Sequence, residues 1–205
     1  MRGLRFPIPP VLRGHLPSIR LASSFPSIPS NSMAQNTNES EALPALSTRE
    51  FRIYNRMAEQ MDMFHTHFRL TWNELQNACT TTKRSAISPR QLISMGESFC
   101  SHLTMHHNIE ERHIFPVLAK KMPEFKKELD LLKQHKQIHA GLDKFEAYLS
   151  DCRLGRADLE RGEVKRLMDG FGEVLWAHLD DEVRTLGAEN MRRYWTLEEM
   201  PRLPM

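Results

Sequence analysis

The sequence predicts an all-α fold, an up-down-up-down four-helix bundle behind a disordered N-terminal tail. Three observations carry this. Glycine is scarce, at 9 of 205 residues, and no stretch sustains the two-residue alternation of a strand. Four long segments instead repeat apolar residues at steps of three and four, the period of a buried helical stripe. The connections between them are short, which favours antiparallel neighbours. The length suffices for one bundle with its own core and a tail.

The sequence divides into a tail at 1–47, a bundle at 48–187 and a C-terminal extension at 188–205. In the tail, Pro7, Pro9, Pro10, Pro17, Pro26 and Pro29 interrupt any helix, and serines crowd residues 23–32. Residues 1–38 hold Arg2, Arg5, Arg13 and Arg20 and no acid, so the tail carries +4 and the remainder −2. This composition fits a mitochondrial presequence, a plain disordered extension, or a chain that starts at Met33; the prolines work against the amphipathic helix of a presequence. Three cysteines, Cys79, Cys100 and Cys152, are odd in number and form no C-x-x-C, which argues against a disulfide framework or a cysteine-based metal site and fits a reducing compartment. The expected location is therefore intracellular, cytoplasmic or mitochondrial. A net charge of +2 is too small to imply nucleic acid, and no apolar run reaches membrane-spanning length.

The first helix is expected over 47–81. Ser47 followed by Glu50 is a capping-box pattern, and the apolar seam reads Tyr54, Met57, Met61, Phe64, Phe68, Trp72 and Leu75. The second is expected over 89–121, capped by Ser88 with Pro89 in its first turn, where a missing N–H costs nothing. The third is expected over 124–152, opened by Pro123. The fourth is expected over 157–186 with Gly187 as its stop. A short turn is expected at 197–200.

Ten histidines are an unusual number, and nine fall between His65 and His178. Several lie on the seams themselves. The second helix reads Phe99, Leu103, His106, Glu110, Ile114, Val117; the fourth reads Val164, Met168, Phe171, Leu175, His178, Glu182, Leu186. In the third, Leu132, His135, His139, Leu142 and Leu149 share a face, and in the first, Met61, His65, Phe68 and Trp72 do. Burying such a polar group without a partner costs about 1–3 kcal/mol, more for a carboxylate. Seven of them would consume the ~5–15 kcal/mol that stabilises an ordinary domain, so something must compensate for them.

His106/Glu110, His135/His139 and His178/Glu182 are all i, i+4 pairs, each stacked on one helical face. Imidazole with carboxylate suits iron, and also manganese or zinc, and two carboxylates allow bridging between two metals. One such pair is weak evidence; three, with a lone seam histidine, on four consecutive helices form a constellation. His107/Glu111 is a second pair one step round the helix, and His67 is an alternative to His65, though about 200° away from it.

These residues resemble the hemerythrin family and its hemerythrin-like (HHE cation-binding) relatives over roughly residues 50–186. His106-His107-Asn108-Ile109-Glu110-Glu111 followed by Phe115-Pro116 looks like the family's second-helix motif. His135-Lys136-Gln137-Ile138-His139 looks like its third, His178-Leu179-Asp180-Asp181-Glu182 like its fourth, and His65 matches the lone first-helix histidine. The resemblance implies two irons. His135, His139 and His178 would bind one, His65 and His106 the other, and Glu110 and Glu182 would bridge them, leaving the second iron with an open position. His102, His107 and His113, with Glu111, would then be outer residues around the ligands or surface groups. The His-x-x-x-Glu spacing of the fourth helix departs from the marine oxygen carriers and is closer to the hemerythrin-like branch. The leading expectation is a protein that binds iron and, through it, dioxygen or nitric oxide for sensing, storage or buffering. The alternatives are a di-iron oxidase or peroxidase-type enzyme and an iron-dependent interaction module.

Overall fold

The structure is a computed structural model and describes residues 43–80, 87–126 and 130–204. Residues 1–42 of the expected tail, on which the presequence and Met33-start readings fall, lie outside the described residues. Helix α1 spans Thr48–Thr80, α2 Pro89–Ile109, α3 Phe115–Leu118, α4 Asp130–Arg153, α5 Arg161–Thr185 and α6 Ala188–Met191. A π-helical turn, Glu110–Ile114, joins α2 to α3, and 3-10 turns lie at Pro123–Phe125 and Met200–Arg202. No strand occurs among the described residues. The four long helices form the predicted bundle: α1 packs on α2 and α5, and α4 packs on the same two helices from the opposite corner.

Local chemistry sets the helix ends. The Ser47 Oγ accepts from the Glu50 N–H at 3.3 Å while the Glu50 carboxylate accepts from the Ser47 N–H at 2.8 Å, a closed capping box. Ser88 and Gln91 repeat it ahead of α2. Helix α4 stops at Gly155, whose φ of +70° lets Arg156 N–H reach the Asp151 carbonyl and Gly155 N–H reach that of Cys152, a Schellman ending. Gly187 does follow the end of α5, but in extended conformation (φ −65°, ψ 153°), where it opens α6. The second expected helix is not continuous. Pro116 has no N–H to give and its ring would strike the carbonyl of Arg112, so one residue is looped into the π turn, closed by Phe115 N–H to the Glu110 carbonyl. Helix α5 begins at Arg161 rather than 157.

The core has two apolar layers. One is built from Phe68, Trp72, Phe99, Leu142, Phe145 and Phe171 with their neighbours. The other is built from Met57, Met61, Phe115, Phe125, Leu186 and Trp195 with theirs, so the segment after α5 packs into the bundle. Arg56 fastens that segment by donating to the carbonyls of Met200 (2.8 Å) and Leu203 (3.2 Å).

Four seam assignments are corrected. Phe64 is 49% exposed, because the buried stripe of α1 runs Met61, His65, Phe68. Leu132 and His139 are half-buried, since the α4 stripe runs Leu131, His135, Ile138, Leu142, Phe145, Leu149. Val117 is half-buried because the π turn rotates Leu118 into the core in its place.

Helices α4 and α5 meet closely at Gly141, where an added Cβ would lie 2.5 Å from the Phe171 Cβ. Gly141→Ala is expected to destabilise the protein by about 1–3 kcal/mol despite alanine's better helix propensity, because the obstructing atom sits next to backbone. At Gly96 the nearest obstruction is the movable tip of Leu149, so Gly96→Ala should cost less. Urea unfolding of the two variants checks this; a stabilised Gly141→Ala protein would contradict the packing described.

Candidate metal centre

Between the two apolar layers lies a polar one. His65, His107, Glu110, His135, His178 and Glu182 are each completely buried there, and the side chain of His106 is 10% exposed. They come from α1, α2, the π turn, α4 and α5, so the layer cuts through all four long helices.

Their donor atoms form two groups, each within 4.8 Å: His107, Glu110, His135 and His178 in one, and His65, His106, Glu110 and Glu182 in the other. Glu110 belongs to both. One of its oxygens is 2.8 Å from His106 Nε2 and the other is 3.5 Å from His135 Nε2. Glu182 also spans the groups, with Oε2 3.4 Å from His65 Nε2 and 3.6 Å from His178 Nε2. The π turn carries Glu110 at its first residue, so the backbone irregularity sits at the carboxylate shared by both groups.

Ring orientation is decided by groups outside the layer. The Leu179 carbonyl, 3.0 Å from His65 Nδ1, can only accept, so a neutral His65 keeps its proton on Nδ1. Glu111 does the same for His135, its carboxylate 2.8 Å from Nδ1. In each ring the Nε2 lone pair therefore points inward, at carboxylate oxygens and at a second imidazole: His106 Nε2 at 3.3 Å in one case and His178 Nε2 at 3.2 Å in the other. Lone pairs facing carboxylates repel unless a cation lies among them. No oxygen of Glu110 or Glu182 accepts an aligned hydrogen bond, and His107 Nε2 and His178 Nδ1 also lack partners. Orphaned buried polar atoms are rare and costly in folded proteins. Nitrogen and carboxylate donors converging without partners, with outer groups fixing the tautomers, fit metal ions.

The electrostatics agree. Burial holds His106 down to about 4 and His178 to about 3, and it pushes His107 and His135 below the ordinary range as well. These imidazoles are neutral at physiological pH and have lone pairs to give. Burial, and then the charge of Glu182, raise Glu110 well above a normal carboxylate. A cation between the two glutamates would reverse that penalty.

Of the residues singled out in the sequence, His65, His106, Glu110, His135, His178 and Glu182 converge. His139 stands outside both groups, half-buried, with Nε2 3.4 Å from His107 Nδ1. Glu111 is an exposed residue that reaches in to orient His135. His102 is exposed, its ring 6.3 Å from that of His67, and His67 is exposed too, whereas His65 is buried. His107 was expected among the outer residues and lies inside the layer instead, stacked on His135 with ring centroids 3.9 Å apart. Its signal was present in the sequence: Cys100, Leu103, His107, Glu110 and Ile114 also step by threes and fours, so His106 and His107 straddle the seam, one facing α1 and the other α4.

An apolar cavity of about 550 Å³ between α1 and α2 ends on this layer, where His106 and Glu110 form part of its wall. Met61, Phe64, Phe68, Met105 and Ile109 supply much of the rest.

A family model described as the hemerythrin HHE cation binding domain matches residues 56–188. The chain is also 28% identical, over 147 residues, to the dimeric xanthone biosynthesis cluster protein R11 of Cryptosporiopsis sp. (strain 8999). That match covers 67% of this chain and 55% of the relative, so the chain spans little more than half of the relative's length. No solved structure matches significantly. The family match takes in all seven expected ligands and the buried layer that most of them form, and the chain belongs to the hemerythrin HHE cation-binding family.

Proposed function

We propose that this protein holds two iron ions in the buried layer and binds dioxygen or nitric oxide at one of them. The observation that carries the reading is the convergence of Nε2 lone pairs, fixed from outside by Leu179 and Glu111, on two carboxylates: Glu110, which belongs to both donor groups, and Glu182, which belongs to one and lies 3.6 Å from His178 of the other. His107, His135 and His178, with His139 beside them, would serve one ion; His65 and His106 would serve the other; Glu110 and Glu182 would join the two. A nitrogen and carboxylate set without thiolate favours iron over zinc, which usually takes four ligands in closed structural sites, and manganese is the nearest competitor. The ligand roles of His107 and His139 are part of this proposal.

The two positions are unequal. Three or four imidazoles crowd the first, and two face the second, which is also the one that the apolar cavity meets. Iron bound there would supply the reversible or oxidising chemistry toward dioxygen and nitric oxide that no side chain of the protein provides. The chain's own part is to keep His106 and His178 unprotonated through burial, to hold His65 and His135 in one tautomer, and to exclude bulk water with Phe64, Phe68 and Met61. No helix among the described residues is long and apolar enough to cross a membrane.

Reconstitution of the full chain with ferrous iron followed by metal analysis tests the centre. The native chain should retain two ions, and His106→Ala combined with Glu110→Ala should retain at most one. Two ions in the double variant would show the assignment wrong.

One observation favours a second reading, oxidation of an organic substrate by dioxygen. The cavity is far larger than a diatomic ligand requires and falls within the ~300–1,000 Å³ of small-molecule sites. The relative named for a biosynthesis cluster points the same way. Reduced protein given excess dioxygen separates the two. A carrier or sensor should take up about one dioxygen per centre and stop, whereas an oxidase should continue consuming it only when substrate is added.

A further inference from the structure

The cavity between α1 and α2 has a chemical character of its own. Its apolar wall includes two aromatic rings and methionine side chains. The Phe68 ring lies 5.1 Å from that of His106 and the Phe64 ring 5.6 Å from it, so two rings flank the imidazole at the inner end. Met63, Phe64, Met105 and Ile109 stand at the mouth and are 71%, 49%, 57% and 46% exposed, large apolar side chains left facing water together. Methionine adapts its shape to planar partners and its sulfur contacts aromatic edges favourably. Among the described residues no lysine or arginine lines the cavity, so its wall offers an anionic ligand no cationic lysine or arginine side chain. The polar groups that do line it are Gln60 and the imidazoles of His67, His102 and His113 near the mouth, with His106 and Glu110 at the inner end.

We propose that this cavity is the binding site for a neutral aromatic molecule bearing a hydroxyl group, held between Phe64, Phe68 and the methionines with its edge toward His106. The site deepens the second reading above. It rests on the metal centre for where the ligand's reactive edge lies, but not for binding itself. Aromatic faces select a flat ligand by offset or edge-to-face contacts. The lack of lysine and arginine in the described wall selects a neutral one, and the imidazoles at both ends offer hydrogen bonds to its hydroxyl. The exposed apolar mouth belongs to the same site, so the four exposed side chains need no second protein to explain them.

Calorimetric titration of the full chain, iron-loaded and after chelation, with 2-naphthol, 2-naphthoate and 1-decanol tests the proposal, with metal content measured on the same samples. To the chelated chain, where no metal ion can accept a carboxylate, naphthol should bind about tenfold or more tightly than naphthoate, because burying the carboxylate without a partner is penalised. Naphthol should also bind more tightly than decanol, and Phe64→Ala should erase that preference. Ile109→Trp, a change at an exposed position, should obstruct the mouth and weaken naphthol by about tenfold or more, with helicity and metal content unchanged. Metal-loaded protein that fails to bind naphthol, or chelated protein that binds naphthoate as well as naphthol, would overturn the proposal. So would sedimentation showing that the native chain dimerises and that Ile109→Trp abolishes the dimer, which would assign the apolar mouth to a second copy. Naphthol bound by a chain that retains no metal after iron loading would refute the metal reading and leave the cavity assignment standing.

Discussion

Six completely buried polar side chains in one layer, two of them glutamates, are the constraint on which the rest of this structure depends. An unpaired carboxylate in a bundle core is among the most expensive groups a protein can bury. Here two stand together, surrounded by imidazoles that burial keeps neutral and that offer lone pairs rather than protons. The fold surrounds this layer with two apolar clusters, one on each side. Those clusters supply the stability that the layer removes. A bound cation turns the same arrangement from a liability into a binding site.

The outer contacts are as specific as the donors. Leu179 orients His65 through a backbone carbonyl, and Glu111 orients His135 from the surface. The π turn forced by Pro116 begins at Glu110, the carboxylate common to both donor groups. At the far end, the segment after α5 closes the second apolar cluster and is tied back to α1 by Arg56. The cavity then gives the layer one apolar approach, at His106, and makes its two halves chemically different.

Most of the fold was legible because a four-helix bundle writes itself in steps of three and four. The α5 stripe from Val164 to Leu186 is buried as its periodicity required, and the Ser47-x-x-Glu50 capping box and the Ser88 cap were visible; that Gln91 closes a second box at Ser88 came from the structure. Six of the seven expected ligands converge for the same reason. What failed to show was rotational detail. One residue on a helix is 100°, and adjacent candidates such as His106 and His107, or Leu131 and Leu132, differ by only that step. The π turn added a further rotation that no periodic pattern contains, so Leu118 replaced Val117 in the core. Phe64 was assigned to the seam by its apolar character, whereas the seam passes through His65 and leaves Phe64 at the mouth of a cavity. That cavity arises from the spacing of two helices, which the sequence of either one alone does not specify.

The central claim is that metal compensates for the buried layer, and the thermal unfolding midpoint of the full chain before and after complete chelation tests it most directly. Saturation at about a thousandfold above the dissociation constant contributes about 4 kcal/mol to the folded state. A domain of this size shifts by about 2–4 °C per kcal/mol, so removing the metal should lower the midpoint by about 8–16 °C, and restoring ferrous iron should recover it. A midpoint that is the same with and without metal would contradict the account.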